Sequence, residues 1–514
     1  MAAASVEAAT AHSNGISNGS AIKGSSASKS IIASKGPGLN HQALISESSL
    51  RRPQSPIRSL FPAESIPGMI SFLAGKPNAT TFPFANISMT LKSEAEAGTS
   101  ADGTPTQLTI EGDELNLALQ YGLTPGLPPF KKWLTEFQSR YNNRPIVNPG
   151  DAVKDGQHPW TVHVGNGSQD LLSKVFNTLL NPGDSCLVER PVYAGVMPNL
   201  VVLESDIVAV EADEEGMSPV SLENILANWT TAEATKGKKF PKFVLTTPTG
   251  ANPSGTTASE QRKRDVLRII RQYGILLIED DPYLMLAFKG LGEDKPETRK
   301  RCRTYWSLEN DDAKEYGTGW VVRVDSFSKV LSAGIRMGFM TGPPTIMHYI
   351  ESETAVINLQ ASGVAQIITF KLLQFWGYEG FLRHADATAE FYRKRRDNFE
   401  MKARKVLGED SGKGQKSVAT WITPVAGMFL WLRLKLPPSV NSAEGDSFAL
   451  IREKAHDKGV LAVPGMSFMP DGKTTCYVRT SFSLIPEEDV EEGLSRLRAV
   501  IEEAWKESGQ EMPA

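Results

Sequence analysis

Ile275-Leu276-Leu277-Ile278-Glu279-Asp280-Asp281-Pro282-Tyr283 and Val321-Val322-Arg323-Val324-Asp325-Ser326-Phe327-Ser328-Lys329 follow one plan. A short, mostly apolar run stops abruptly at a polar cluster. Three stretches upstream repeat it. Trp160–Val164 runs into Gly165-Asn166-Gly167-Ser168-Gln169, followed by the periodic Leu171, Leu172, Val175 and Leu179. Cys186-Leu187-Val188 leads to Glu189-Arg190-Pro191-Val192-Tyr193, and Phe243–Leu245 leads to Pro248-Thr249-Gly250-Ala251-Asn252-Pro253. Apolar strands alternating with helices predict an α/β fold: a mostly parallel central sheet covered by helices on both faces, in three layers. Ligands of such sheets sit just beyond the carboxyl ends of the strands, where all these polar clusters fall.

The chain has 514 residues, 40% hydrophobic and 22% charged, beyond the ~100–200 residues of one domain. Lys plus Arg is 55 against 59 Asp plus Glu, a net charge of −4, which argues against a general nucleic-acid or membrane-surface binder. Cys186, Cys302 and Cys476 form no disulfide framework and no metal-ligand spacing, so a reducing compartment and no metal are expected. No apolar run reaches the ~20 residues that cross a bilayer. Residues 1–50 hold 12 Ser and 10 Ala but only five charged residues, and read as a disordered tail. Mitochondrial leaders are rich in Arg, whereas the first Arg is Arg51, so the expected location is cytoplasmic.

Residues 51–125 read as an N-terminal arm, 126–375 as a large domain and 376–514 as a smaller α+β domain. In the last, Phe429-Leu430-Trp431-Leu432 and Tyr477-Val478-Arg479 look like strands. A final helix is expected to begin near Pro486, with Val490, Leu494, Leu497, Ile501 and Trp505 on one face. The charged stretch Gly290–Gly319 breaks the α/β rhythm and reads as a solvated surface insertion.

Lys329 follows a strand, stands beside Ser328 and near Ser326, and precedes Arg336 by seven residues. That pattern suits a phosphate-bearing aldehyde cofactor: the amine condenses with the aldehyde, while hydroxyls and guanidinium hold the phosphate. An exposed lysine in a serine-rich loop is the plainer alternative. Gly167-Ser168-Gln169 opens a helix whose free N–H groups attract an anion. Asp280 is either an ordinary helix cap or the partner of a protonated pyridine nitrogen. Asn252 is either a turn residue or a donor to a ring oxygen.

Together, Ser-x-Ser-Lys with Gly-x-Arg, Asn-Pro-Ser-Gly, Glu-Asp-Asp-Pro-Tyr and a late Arg resemble the fold-type I pyridoxal-phosphate aminotransferases. The resemblance is to the fungal aromatic and the kynurenine/2-aminoadipate aminotransferases. Ser55-Pro56-Ile57-Arg58, Phe82-Pro83-Phe84, Gly427-Met428-Phe429-Leu430-Trp431 and Pro464-Gly465 carry it further. It covers the chain from about Arg51 to the C-terminus. It implies pyridoxal 5'-phosphate as cofactor, Lys329 as its lysine, Asp280 as partner of its ring nitrogen, and Tyr193 stacked on the ring. It further implies Asn252 and Tyr283 at the ring oxygen, and Ser168, Gln169, Ser326, Ser328 and Arg336 around the phosphate. Tyr121 would reach the phosphate of a second subunit, making a homodimer with shared sites. Arg479 would bind the substrate carboxylate, with Arg58, Gly75 and Asn252 lining the substrate pocket. The implied reaction moves the amino group of Phe, Tyr or Trp to 2-oxoglutarate by a ping-pong route. Kynurenine/2-aminoadipate transamination and β-eliminating C–S lysis remain alternatives.

Overall fold

The computed structural model describes residues 38–53, 56, 60, 63–64, 66–73, 75–288, 290–291, 300–408, 416–440 and 442–513. Strands β1 (Asn86–Thr90) and β2 (Gln107–Glu111) pair antiparallel ahead of the main sheet. That sheet is built from β3 (Thr161–Gly165), β4 (Ser185–Arg190), β5 (Asp206–Asp213), β6 (Gly216–Met217), β7 (Phe243–Thr246), β8 (Leu276–Asp280), β9 (Val321–Ser326) and β10 (Gly338–Gly342). Their spatial order is β3-β10-β9-β8-β7-β4-β5-β6. Neighbours from β9 through β8, β7 and β4 to β5 are parallel. β10 runs against β3 and β9, and β6 against β5.

Alternation along each strand feeds two cores. Leu187, Val244, Leu277 and Val321 pack with Phe130 and Trp133 of the helix Pro128–Tyr141. Cys186, Val188, Leu276, Ile278, Val322 and Val324 pack with Leu171, Val175 and Phe176 of the helix Ser168–Leu179. The expected three-layer arrangement therefore exists, because these strands are apolar on both sides.

A second sheet of β11 (Ala419–Thr420), β12 (Phe429–Leu434), β13 (Val463–Pro464) and β14 (Tyr477–Ser481) is antiparallel, in the order β11-β12-β14-β13. The helix Asp489–Ser508 covers it through Val490, Leu494, Leu497, Ile501 and Trp505. It begins three residues later than expected, since Pro486 sits in a turn whose carbonyl accepts from Asp489 N. Asp489, Glu491 and Glu492 instead occupy the first turn, where the helix dipole favours acids. The long helix Gly363–Val406 joins the two sheets, bent at Gly377, whose φ of 65° an L side chain rarely adopts. Among the described residues no helix is long and apolar enough to cross a membrane.

Two expectations need correction. Residues 38–50 are not a disordered continuation of the tail. They form the short helices His41–Leu44 and Glu47–Leu50, and Leu44 and Ile45 are buried. Lys242 Nζ donates to Leu44 O (3.1 Å) and Ser46 N to Thr178 O (2.8 Å), anchoring the segment on the main core. Two four-residue helices are too short to show a 3.6-residue period. Residues 1–37 lie outside the described residues. Nor is Gly290–Gly319 a surface insertion throughout. Tyr305, Trp306 and Leu308 are fully buried, and Glu279 accepts from Tyr305 N (2.9 Å) and Trp306 N (3.2 Å). Arg301 grips Asp386 with two bonds of 2.7 Å. Arg301 is thus paired inward, a fact the composition of the stretch hides, while residues 292–299, which hold others of its charges, lie outside the described residues.

Candidate active site

The carboxyl ends of β4, β8 and β9 converge with the start of the helix Ser168–Leu179. Gly167, with φ 89°, caps that helix, and a Cβ there would lie 2.6 Å from Arg336 Nη2. The glycine thus lets the guanidinium lie against the helix entry. Arg336, itself left-handed at φ 53°, donates to Asn166 O (3.0 Å), Ala333 O (3.0 Å) and Ser328 Oγ (3.3 Å). Ser328 N in turn donates to Ser326 Oγ (3.2 Å). Ser168, Gln169, Ser326, Ser328 and Arg336 therefore gather about one helix N-terminus, a cationic cradle with the chemistry of a phosphate site.

Beside it, Asp280 closes β8, buried, and its Oδ1 has no hydrogen-bond partner. Burial first, then the charges of Asp281 and Asp325, push its carboxyl up to about 7, against the pull of Arg323. Tyr283, three residues on and buried, has its hydroxyl raised by burial and then by Asp280, and it hydrogen-bonds Asn252. Lys329 Nζ lies 5.9 Å from the centroid of the Tyr283 ring. Burial, then the nearby Arg336 and Arg479, hold the Lys329 ammonium below the usual lysine range. A neutral amine is the form that can take a proton.

On the opposite wall Arg479 rises from β14 and donates through Nη1 to Asn252 Oδ1 (2.9 Å). Its guanidinium lies between two rings, 4.5 Å from the centroid of Phe429 and 5.1 Å from that of Phe468. Cation–π contact on both sides fixes the fork, while Nε has no partner. Tyr193 lies over the Gly195 backbone, where a Cβ would come within 2.5 Å of its ring. Gly195 O accepts from Gln169 Nε2 (2.6 Å), and Gln169 Oε1 is unpartnered. Asp280, Gln169 and Arg479 thus each leave a buried polar atom unsatisfied around one cleft. Each such atom costs about 1–3 kcal/mol unless a ligand completes it.

Sequence reasoning located this cluster but missed three contributors. Gly195 sets the seat of Tyr193, and Phe429 and Phe468 clamp Arg479. A glycine in an ordinary loop and a phenylalanine in an apolar run carry no local signal of such roles. Some expected residues stand apart. Tyr121 is 55% exposed, and among the described residues no hydrogen bond joins its ring to the cluster. Gly75 is exposed, with nothing within 4 Å of where a Cβ would sit. Arg58 lies outside the described residues.

The chain is similar to known proteins. A family model described as aminotransferase class I and II matches residues 110–497. The aminotransferase tdiD of Emericella nidulans is 40% identical over 446 residues, 87% of this chain and 92% of the relative. The mitochondrial kynurenine/alpha-aminoadipate aminotransferase of Mus musculus is 35% identical over 470 residues, 91% of this chain and all of the relative. The crystal structure of aminotransferase Aro8 from Candida albicans superposes with a TM-score of 0.76 at 25% identity, covering 92% of this chain and 100% of that one. The matched span holds every strand of the main sheet, both walls of the cleft and Lys329, and on that footing the chain belongs to the class I and II aminotransferases.

Proposed function

We propose that this aminotransferase takes the amino group of an aromatic amino acid (Phe, Tyr or Trp) and passes it to 2-oxoglutarate in a ping-pong cycle. The observation that carries the aromatic reading is the pair of phenyl rings, Phe429 and Phe468, flanking the guanidinium of Arg479. A carboxylate seated on Arg479 meets a guanidinium held in an aromatic setting, which suits an aromatic side chain beside it.

The cofactor is pyridoxal 5'-phosphate, and the cleft suits it. The unpartnered Asp280 Oδ1 calls for a donor such as a protonated ring nitrogen, and the Gly167–Arg336 cradle calls for an anion. When bound, the cofactor supplies a carbonyl that accepts the amino group and a ring that draws electrons from the α-carbon. Ser168, Gln169, Ser326, Ser328 and Arg336 would hold its phosphate, Tyr193 would lie against its ring, and Asn252 and Tyr283 would donate to its oxygen. Asp280 would keep the ring nitrogen protonated, a charge placed before the reaction begins. Lys329 Nζ removes the α-proton and returns it one carbon away, as base and then acid. Arg479 holds the carboxylate of amino acid and oxo acid in turn, so one pocket serves both half-reactions.

The second half of the proposal is a homodimer with Tyr121 reaching the partner's phosphate cradle. Ile70 (82% exposed), Phe72 (98%) and Phe84 (60%) stand out from the arm that precedes Tyr121, as residues awaiting a partner do. Steady-state rates with Phe, Tyr, Trp, kynurenine and 2-aminoadipate, each with and without 2-oxoglutarate, test the reaction. The expected result is the highest kcat/KM for an aromatic substrate, parallel double-reciprocal lines, and no turnover without the oxo acid. A preference for 2-aminoadipate would overturn the substrate, and turnover without an oxo acid would overturn the reaction type.

A further inference from the structure

Behind the cleft, on the face of β8 and β9 opposite Asp280, lies a buried cluster of charge. Arg323 is fully buried and its Nη1 lies 3.1 Å from both Glu279 and Asp281, while Nη2 meets Asp325 at 2.6 Å. Gln138 Nε2 donates to Asp325 Oδ2 (2.9 Å), and Thr304 Oγ1 reaches Asn142, which donates to Gln138. The register pairs Asp280 with Val324, so Arg323 and Asp325 flank its partner position, as Glu279 and Asp281 flank Asp280 itself. Three carboxylates, Glu279, Asp281 and Asp325, thus surround one guanidinium.

The other ionisable groups packed here do not supply a free cation. Lys263 Nζ is committed to Arg303 O (2.7 Å), and Arg301 to Asp386. Tyr305 is fully buried and Tyr141 partly, and burial pushes both hydroxyls upward, so they stay neutral. On the cleft side Tyr283 is likewise neutral. Charges this close in a dry interior interact across the sheet with little screening.

We propose that Arg323 is the positioning residue that keeps Asp280 ionised, by cancelling the charges of Asp281 and Asp325 beside it. The inference rests on the role given to Asp280 above. Without Arg323, the carboxyl, already pushed up to about 7 by burial and its acidic neighbours, would keep its proton further above neutrality and could no longer hold the proton on a ring nitrogen. Arginine suits the task because it remains charged when buried.

The test uses the full chain loaded with pyridoxal 5'-phosphate. Cofactor affinity, read from the visible absorbance of bound cofactor, and kcat are followed from well below to well above neutral pH. Asp325→Asn removes a negative neighbour and keeps the acceptor for Arg323. It should move the acid limit of both readouts down by about half a unit or more, roughly threefold in affinity at a fixed acid pH. Arg323→Met should move the limit up, and Arg323→Lys should return it towards wild type. In an Asp280→Asn background these shifts should vanish, because the group they act through is gone. A merely structural role would lower the melting temperature of both variants without displacing the limit in opposite directions. If Arg323→Met does not fold, Asp325→Asn decides alone, and an unmoved acid limit there overturns the proposal. Near-normal kcat in Asp280→Asn would instead remove the role of Asp280, and this inference with it.

Discussion

Strands β8 and β9 lie side by side, and a buried acid stands at each end of the pair. At the start of β9, Glu309 has no exposed surface and both oxygens are occupied. Oε1 meets Arg144 (2.5 Å), and Oε2 accepts from Gly319 N (3.2 Å) and Trp320 N (2.8 Å). His41 closes the same end on Gly319 O (2.7 Å). At the finish of β8, Asp280 is nearly as buried, yet its Oδ1 meets nothing. Burial raises the energy of both charges; one is offset inside the protein and the other is left for a ligand. A saturated buried carboxylate is a fastening, whereas an unsaturated one at the carboxyl edge of a parallel sheet is a binding group.

The contrast can be broken at either end. The largest effect is expected at the finish of the strands. Lys329→Ala should abolish the visible absorbance of the lysine-bound cofactor and lower kcat by about 10⁴-fold, with far-ultraviolet circular dichroism unchanged. A variant keeping both the absorbance and wild-type turnover would refute the assignment of Lys329. At the other end, Glu309→Ala strands the buried Arg144 guanidinium and should destabilise the fold by about 3–5 kcal/mol in urea denaturation. The molecules still folded should bind cofactor normally, and lost cofactor affinity there would blur the division drawn above. The smallest effect concerns His41. Burial, outweighing its bond to Gly319, lowers its pKa, so below about pH 6.5 the unfolded chain binds more protons than the folded one. The neutral ring therefore stabilises the fold above that pH and the contribution fades as pH falls. His41→Gln, which can still donate to Gly319 O, should lose less stability than wild type between neutral and mildly acid pH. The expected difference is at most about 1.4 kcal/mol per pH unit, and identical pH slopes would exclude a titrating His41.

The strand ends were legible because the signal is local. Ile275–Ile278 turning polar at Glu279 marked β8 within two residues of its observed end at Asp280, and Val321–Val324 marked β9 in the same way. The cluster on one strand or one turn (Lys329 with Ser328 and Arg336, Asp280 with Tyr283) was readable for the same reason. Tyr121 and Gly75, whose expected roles depend on residues far away in the sequence, carry no such local signal, and both stand exposed.

An alternating apolar pattern and the turn chemistry that follows it need no partner, so the sequence alone determined the α/β class, the polar strand ends and the lysine among them. Tertiary structure alone decided the strand order, which sets β10 between β3 and β9, and the meeting of Arg479 with Asn252 across 227 residues. It also decided that Phe429 and Phe468 grip that arginine, that residues 38–50 are fastened down, and that Arg323 faces three acids. These are contacts between surfaces made by distant segments. No periodicity records them, and only the close packing of both faces of the sheet brings such segments within reach.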